Sequence, residues 1–301
     1  MVPDMSVKKY SGRMARTMRR PFNALDAAVD ADLDRVWLHA QTAFLVLAVV
    51  FPIFVAAVVS TKQTGIVTSP ADLFPGTHAV ENYRTALVDY EFWRFMWNSF
   101  LMSVIIVVGK LAVSVLAAVA IVYYRVPYKD LVFLFILFTL MLPVPVRFVP
   151  LFELINDLGW GNTLLAITVP YLASATTVFI LRQHFLSIPS SIVETAKLDG
   201  VGPLKFMLYV LIPMSKGVLV GVSIIMFVFA WNQYLWPLVI IDSQSNQVAQ
   251  VGLSLLEGDV QAGQLAWSLV MAGSMLTLLP PLVLMILFRK PLLHAFTIQQ
   301  K

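Results

Sequence analysis

Apolar residues run in six long stretches, near 37–60, 98–124, 131–151, 163–185, 217–241 and 266–288, with polar residues gathered between them. A hydrocarbon core of about 30 Å takes about 20 helical residues, so each stretch is long enough to cross it once. Lipid offers no partner to an unpaired backbone group, so the spans must satisfy their own hydrogen bonds as helices. The pattern therefore predicts an all-α, polytopic membrane protein with six transmembrane helices. The first stretch is longer than the roughly 7–15-residue apolar core of a cleaved signal peptide and reads as an uncleaved anchor.

The loops alternate in kind. Short basic ones (Arg125 to Lys129 and Arg182 to Lys216) exchange with loops poor in basic residues (61–97, 152–162 and 242–265). With the amino terminus inside, 16 of the 21 Lys and Arg residues fall on the cytoplasmic side, only Lys62, Arg84 and Arg94 fall outside, and Lys110 and Arg147 lie within spans. Basic residues favour the cytoplasmic side, so this split places both termini inside a cell membrane. Residues 1–35, with Lys8, Lys9, Arg13, Arg16, Arg19, Arg20 and Arg35, form a basic cytoplasmic tail expected to have little fixed structure. Residues 36–290 form the membrane domain and 291–301 a second cytoplasmic tail. The 61–97 loop carries Pro70, Pro75 and Gly76, then Tyr90, Phe92, Trp93 and Trp97, aromatics that suit the outer water–lipid boundary.

Composition narrows the chemistry. The chain is 59% hydrophobic and 13% charged, about half the charged share of a soluble domain. The absence of cysteine excludes disulfides, thiol nucleophiles and thiolate metal sites. Of the four histidines, His78, His184 and His294 are far apart in the topology and His39 lies at a span entrance, so no metal site is expected. Gly109-Lys110 resembles the end of a phosphate-binding loop, but Val104 stands where its first glycine belongs and the segment is a span. No His or carboxylate constellation suggests catalysis. The net charge of +4 is explained by the cytoplasmic loops and calls for no nucleic-acid partner.

The segment from Ser187 to Lys216, SIPSSIVETAKLDGVGPLKFMLYVLIPMSK, carries the most specific signal. Ser191 and Glu194, three apart and just after Pro189, have the spacing of a capping box. They predict a helix from Ile192 to Asp199, stopped by Gly200 with Gly202 and Pro203 behind it. Its expected apolar side is Ile192, Ala196 and Leu198, with charges at Glu194, Lys197 and Asp199. About two turns are marginal alone, so the helix is expected to be held by a partner.

Glu194-Thr195-Ala196, Asp199-Gly200 and Ile212-Pro213 together resemble the EAA loop of importer permeases driven by ATP-binding cassettes. Thr195 stands for the usual second-position Ala, and Leu211-Ile212-Pro213 varies the closing triplet. Segments 139–159, 169–189 and 231–240 are similar to the MalG-type, carbohydrate-uptake branch, most of all to the second permeases of sn-glycerol-3-phosphate importers. The resemblance implies a type I importer permease fold in which Glu194, Thr195, Ala196, Asp199, Gly200 and Pro213 couple the pore to an ATPase. It also implies a second permease completing a heterodimer, a dimer of ATP-binding subunits holding ATP and Mg, and an extracytoplasmic solute-binding protein. This chain would bind no cofactor and would hydrolyse no ATP itself.

An ionisable residue within a span costs on the order of 2.5–3.5 kcal/mol at its centre and so invites a functional reading. At about 1.5 Å per residue, Lys110 lies about 18 Å below the outer start of its span, and Arg147 and Asn232 lie about 24 and 22 Å above the inner starts of theirs. Lys110, Arg147, Asn232 and Gln233 are thus candidates for the solute path, beside Trp231, Tyr234 and Trp236. Two cations favour an anion such as sn-glycerol-3-phosphate or a glycerophosphodiester. Structural readings stand beside these: Lys110 as a snorkelling or paired residue, Arg147 as a boundary residue near the Pro143 and Pro145 kink, Asn232 and Gln233 as interhelical hydrogen-bonders. A permease for a neutral sugar is the alternative within the class. An ion-coupled secondary transporter is the alternative outside it, although such a carrier usually needs carboxylates in the span cores. Here Glu153 sits only at an outer end.

Overall fold

The computed structural model describes residues 35–63, 69, 73–258, 260–261, 264–265 and 267–290. The expected tails, 1–35 and 291–301, lie outside the described residues except for Arg35. The chain divides into two units, Met1–Ala56 and Ala57–Lys301. In the first, the described residues belong to the helix α1 (Arg35–Val59), along which Trp37, Phe44, Leu47 and Phe51 are exposed as lipid-facing side chains would be.

The second unit is helical apart from a two-residue hairpin pairing Val260–Gln261 with Gln264–Leu265. Its short first helix, α2 (Ala79–Arg84), sits in the expected outer loop, where Asn82 Nδ2 donates to the carbonyls of Ser60 and Lys62, both at 2.8 Å. The loop thus folds back on the end of the preceding span. At the centre stands α3 (Phe92–Tyr123), 32 residues long and starting six residues before the expected span. The aromatics Phe92 and Phe95 are packed into its bundle rather than left at a water boundary. Its inner face carries Phe95, Val107, Met102, Ile106, Val115 and Ala118, which join three adjoining clusters of buried side chains.

The third, fourth and fifth spans are bent pairs rather than single rods. The third runs as α4 (Lys129–Met141) and α5 (Val144–Asp157), turned by 101° at Pro143, so the expected limits 131–151 miss the turn and stop six residues short. Pro143 and Pro145 lack the amide that would continue the ladder. The fourth runs as α6 (Leu164–Tyr171) and α7 (Ala175–Leu186), bent by 40°, with the Ser174 hydroxyl accepting the amide of Thr177 at 3.3 Å to start α7 afresh. After α8 (Ser190–Leu198), the fifth runs as α9 (Pro203–Met214) and α10 (Lys216–Trp231), turned by 80° at Ser215. The expected span 217–241 does not continue past Trp231. Asn232 caps α10, and α11 (Leu235–Ile240) packs back on α6. The outer helix α12 (Ala249–Gly258) and the last span α13 (Trp267–Leu287) follow. Three described helices are long and apolar enough to cross a membrane, and the number is up to six if each bent pair is one span.

Two buried indoles repair proline breaks. Pro170 and Pro281 cannot donate to the carbonyls four residues earlier, those of Ala166 and Thr277. Trp236 Nε1 donates to the Ala166 carbonyl at 2.9 Å, and Trp231 Nε1 to that of Thr277 at 3.0 Å. Each tryptophan is therefore both a packing element and the missing donor, which permits bends at depths where water is scarce.

Candidate functional site

Two regions bear on function. The first is a set of neighbouring helix breaks, at Pro143, at the α6–α7 bend and after Trp231. Arg147, in the first turn of α5 after the Pro143 break, donates from Nη2 to the Leu142 carbonyl at 3.1 Å, so its guanidinium covers the polar end that the break exposes. The Tyr171 phenol, at the α6–α7 bend, lies near the Gln233 side chain and in the field of Arg147. Gln233 itself occupies the break between α10 and α11. A cation, a phenol and an amide thus lie near one another at three helix breaks.

Asn232 is turned elsewhere: its Oδ1 accepts Gln250 Nε2 at 3.0 Å and its Nδ2 donates to the Val228 carbonyl at 2.8 Å. It ties the end of α10 to the outer helix α12. Lys110 is apart from both. It is 7% exposed on the inner face of α3, in helical register with Ser103 and Ser114, whose buried hydroxyls have no hydrogen-bond partner. Among the described residues no carboxylate comes within ion-pair distance of it. The four expected path residues therefore do not form one cluster. Arg147 and Gln233 converge, Asn232 is a tie to the outer loop, and Lys110 lies within the packed interior.

Tyr171 was not singled out from the sequence, although Pro170 before it marks a break and a break is where a polar group becomes available. The outer loop is held by asparagines that the sequence pattern also passed over. Asn98 Nδ2 donates to the carbonyls of Ser245 and Gln247, both at 2.9 Å, and Asn162 Oδ1 accepts the Ser243 hydroxyl at 2.8 Å.

The second region is the 187–216 segment. Its helix begins at Ser190, one turn direction set by the extended backbone of Pro189 (ψ 134°), with no side-chain cap. The expected capping box of Ser191 and Glu194 does not form, because the helix starts before Ser191, whose carbonyl instead accepts the Thr195 hydroxyl at 2.8 Å. The packed face is Val193 and Ala196, beside Ile188 and Val201, while Leu198 is 89% exposed, contrary to its expected place on the apolar side. The helix closes as expected at Gly200 (φ +69°). The amide of Val201 donates to the Ala196 carbonyl at 2.9 Å and that of Gly200 to the Lys197 carbonyl at 3.1 Å, the paired bonds of a Schellman closure. Glu194, Thr195, Lys197, Leu198 and Asp199 are left on one open surface. Pro213 lies two residues before the Ser215 bend.

Residues 110–290 match the family described as the binding-protein-dependent transport system inner membrane component, and the chain belongs to that family of membrane-embedded transport permeases. Among its relatives, the sn-glycerol-3-phosphate transport system permease protein UgpE of Brucella melitensis biotype 1 is 38% identical over 253 residues, 81% of this chain and 89% of that one. The protein of the same name from Salmonella typhi is 37% identical over 275 residues, 88% and 97% of the two chains. A solved bacterial ABC transporter involved in the import of the acidic polysaccharide alginate contains a chain of the same fold. The TM-score is 0.76 at 23% identity, covering 85% of this chain and 96% of that one. The all-α fold with broken spans is thus that of an ABC importer permease, and the chain is a multi-pass membrane protein.

Proposed function

We propose that this chain forms half of the translocation pore of an ATP-driven importer whose solute is sn-glycerol-3-phosphate or a glycerophosphodiester. The relatives named above support the solute class, and one observation on this chain carries it: Arg147, bonded to the Leu142 carbonyl at the Pro143 break, stands close enough to Tyr171 and Gln233 at the neighbouring breaks to act on the same phenol. A phosphate ester entering a low-dielectric path needs a compensating cation and donors, and charge-assisted bonds are roughly twice as strong as neutral ones. The ester oxygens would replace the Leu142 carbonyl as acceptors of the guanidinium, while Tyr171 and Gln233 would take the glycerol hydroxyls.

The 187–216 segment is the coupling element in this reading. Its open surface of Glu194, Thr195, Leu198 and Asp199 awaits a cleft on an ATP-binding subunit, whose dimer carries ATP and Mg. Gly200 and Pro213 set the shape of the segment rather than touch the partner. A second permease completes the pore, a binding protein delivers solute outside, and both termini are cytoplasmic. A neutral-sugar permease remains a second reading because the Tyr171 and Tyr234 rings stand beside the same break and could stack on a pyranose.

The test is uptake by the reconstituted assembly in proteoliposomes. Arg147→Gln, which keeps hydrogen-bonding capacity without fixed charge, should slow sn-glycerol-3-phosphate uptake by about tenfold or more, the loss expected when a charged hydrogen bond of about 1.5–3 kcal/mol is removed. Arg147→Lys should recover part of it, and basal ATP hydrolysis should not change. Wild-type vesicles that carry a neutral disaccharide and ignore the phosphate ester would replace the solute assignment with the sugar reading.

A further inference from the structure

The coupling segment is tied at its neck by a hydrogen bond outside the EAA-like residues. His184, two residues before the end of α7, and Ser215, at the 80° turn between α9 and α10, share a 3.0 Å bond between Nε2 and Oγ. Ser215 is fully buried and occupies the N-cap position of α10, where a serine ordinarily accepts an amide of its own helix. Here its side chain makes no such cap and is spent on His184, 31 residues away. Between the two residues lie α8, the Gly200 turn and α9, whose Val193, Ala196 and Phe206 also pack on the cluster formed by α3 and α7. Beneath it, Phe185 and Leu211 are fully packed, and Tyr123 Oη donates to the Phe185 carbonyl at 2.9 Å, fixing the α7 side of the neck to α3.

We infer that the His184–Ser215 pair is a clasp that makes the inner ends of the fourth and fifth spans move together when the coupling helix is displaced. The inference rests on the reading of 187–216 as the coupling segment. A turn of 80° held only by its own backbone would bend when α9 is pushed. With Ser215 bonded to His184, the push is shared between α7 and α10 instead of being absorbed at the turn. His184 and Ser215 are positioning residues that touch neither nucleotide nor solute.

The absence of cysteine in the sequence allows a clean distance measurement. Spin labels on cysteines at the exposed positions Gln183 and Lys216 straddle the neck and report its width in the whole assembly in nanodiscs. In the parent chain one narrow distance distribution should persist from the nucleotide-free state to the ATP–vanadate-trapped state. His184→Phe and Ser215→Ala should each let the neck widen on trapping and cut sn-glycerol-3-phosphate uptake per ATP by about fivefold, as loss of one ordinary hydrogen bond implies. The double variant should be no worse than either single one. His184→Gln, which can still bond Ser215, should restore both readings, which a purely structural role for the imidazole would not. A neck that widens in the parent chain, or stays narrow in both single variants, overturns the clasp. Parent vesicles that do not take up sn-glycerol-3-phosphate overturn the solute reading alone, because the neck measurement needs only nucleotide.

Discussion

Gly200 offers the cleanest separation of shape from contact in the coupling segment. Its φ is +69°, and a Cβ built there would meet no atom within 4 Å, so any cost of substitution is conformational rather than steric. An L-residue in the left-handed region costs about 1–2 kcal/mol, less for asparagine, whose short side chain bonds locally. Restoring a relaxed φ breaks the paired closure at Val201 and Gly200, whose bonds of 2.9 and 3.1 Å end α8. A penalty of about 1–2 kcal/mol lowers the population of the correctly ended helix by a factor of about 5–30. Gly200→Ala and Gly200→Val should therefore reduce solute-stimulated ATP hydrolysis in that range, with valine the worse for its branched Cβ and asparagine close to the parent. Affinity for the loaded binding protein should be unchanged, because the proposed topology puts that surface on the other side of the membrane. Equal activity of the alanine, valine and asparagine variants would refute the argument, since their unequal tolerance of a positive φ is what ranks them.

The proline repairs predict a second outcome. Trp236→Phe leaves the Ala166 carbonyl buried without a donor, which should lower stability in detergent by about 1–3 kcal/mol. In a Pro170→Ala background the new amide can reach that carbonyl, so the same change should cost distinctly less, and equal losses in the two backgrounds, measured by thermal unfolding, would exclude the repair. Orientation is checked by single cysteines: Thr77 and Ser245 should label from outside and Leu198 only from inside, all three being exposed positions. External labelling of Leu198 would invert the topology.

The apolar stretches, the short helix after Pro189 and its glycine stop were legible because each leaves a local trace: about 20 apolar residues, a small amphipathic segment, a Gly with Gly-Pro behind it. Direction within a span leaves no such trace. A hydropathy window counts apolar residues on both sides of Pro143 alike, and nothing in the apolarity around Ser215 announces an 80° turn. The polar candidates were found by type, but which of them meet depends on folding over long separations. Trp236 reaches a carbonyl 70 residues away, and His184 pairs with Ser215 across 31. Asn232 and Gln233 are neighbours in sequence, yet the α10 terminus turns one toward α12 and the other toward Tyr171. The failed capping box has a local cause, since Pro189 starts the helix two residues too early for Ser191 to serve as its cap.

Transport into sealed vesicles decides the central claim. Proteoliposomes holding this chain with its second permease and ATP-binding subunits, ATP inside and the binding protein with radiolabelled sn-glycerol-3-phosphate outside, should accumulate label when ionophores have collapsed every ion gradient. Accumulation should stop when the ATP-binding subunits are omitted or ATP is replaced by a non-hydrolysable analogue. Uptake by this chain alone, driven by a proton or sodium gradient and indifferent to ATP, would contradict the account.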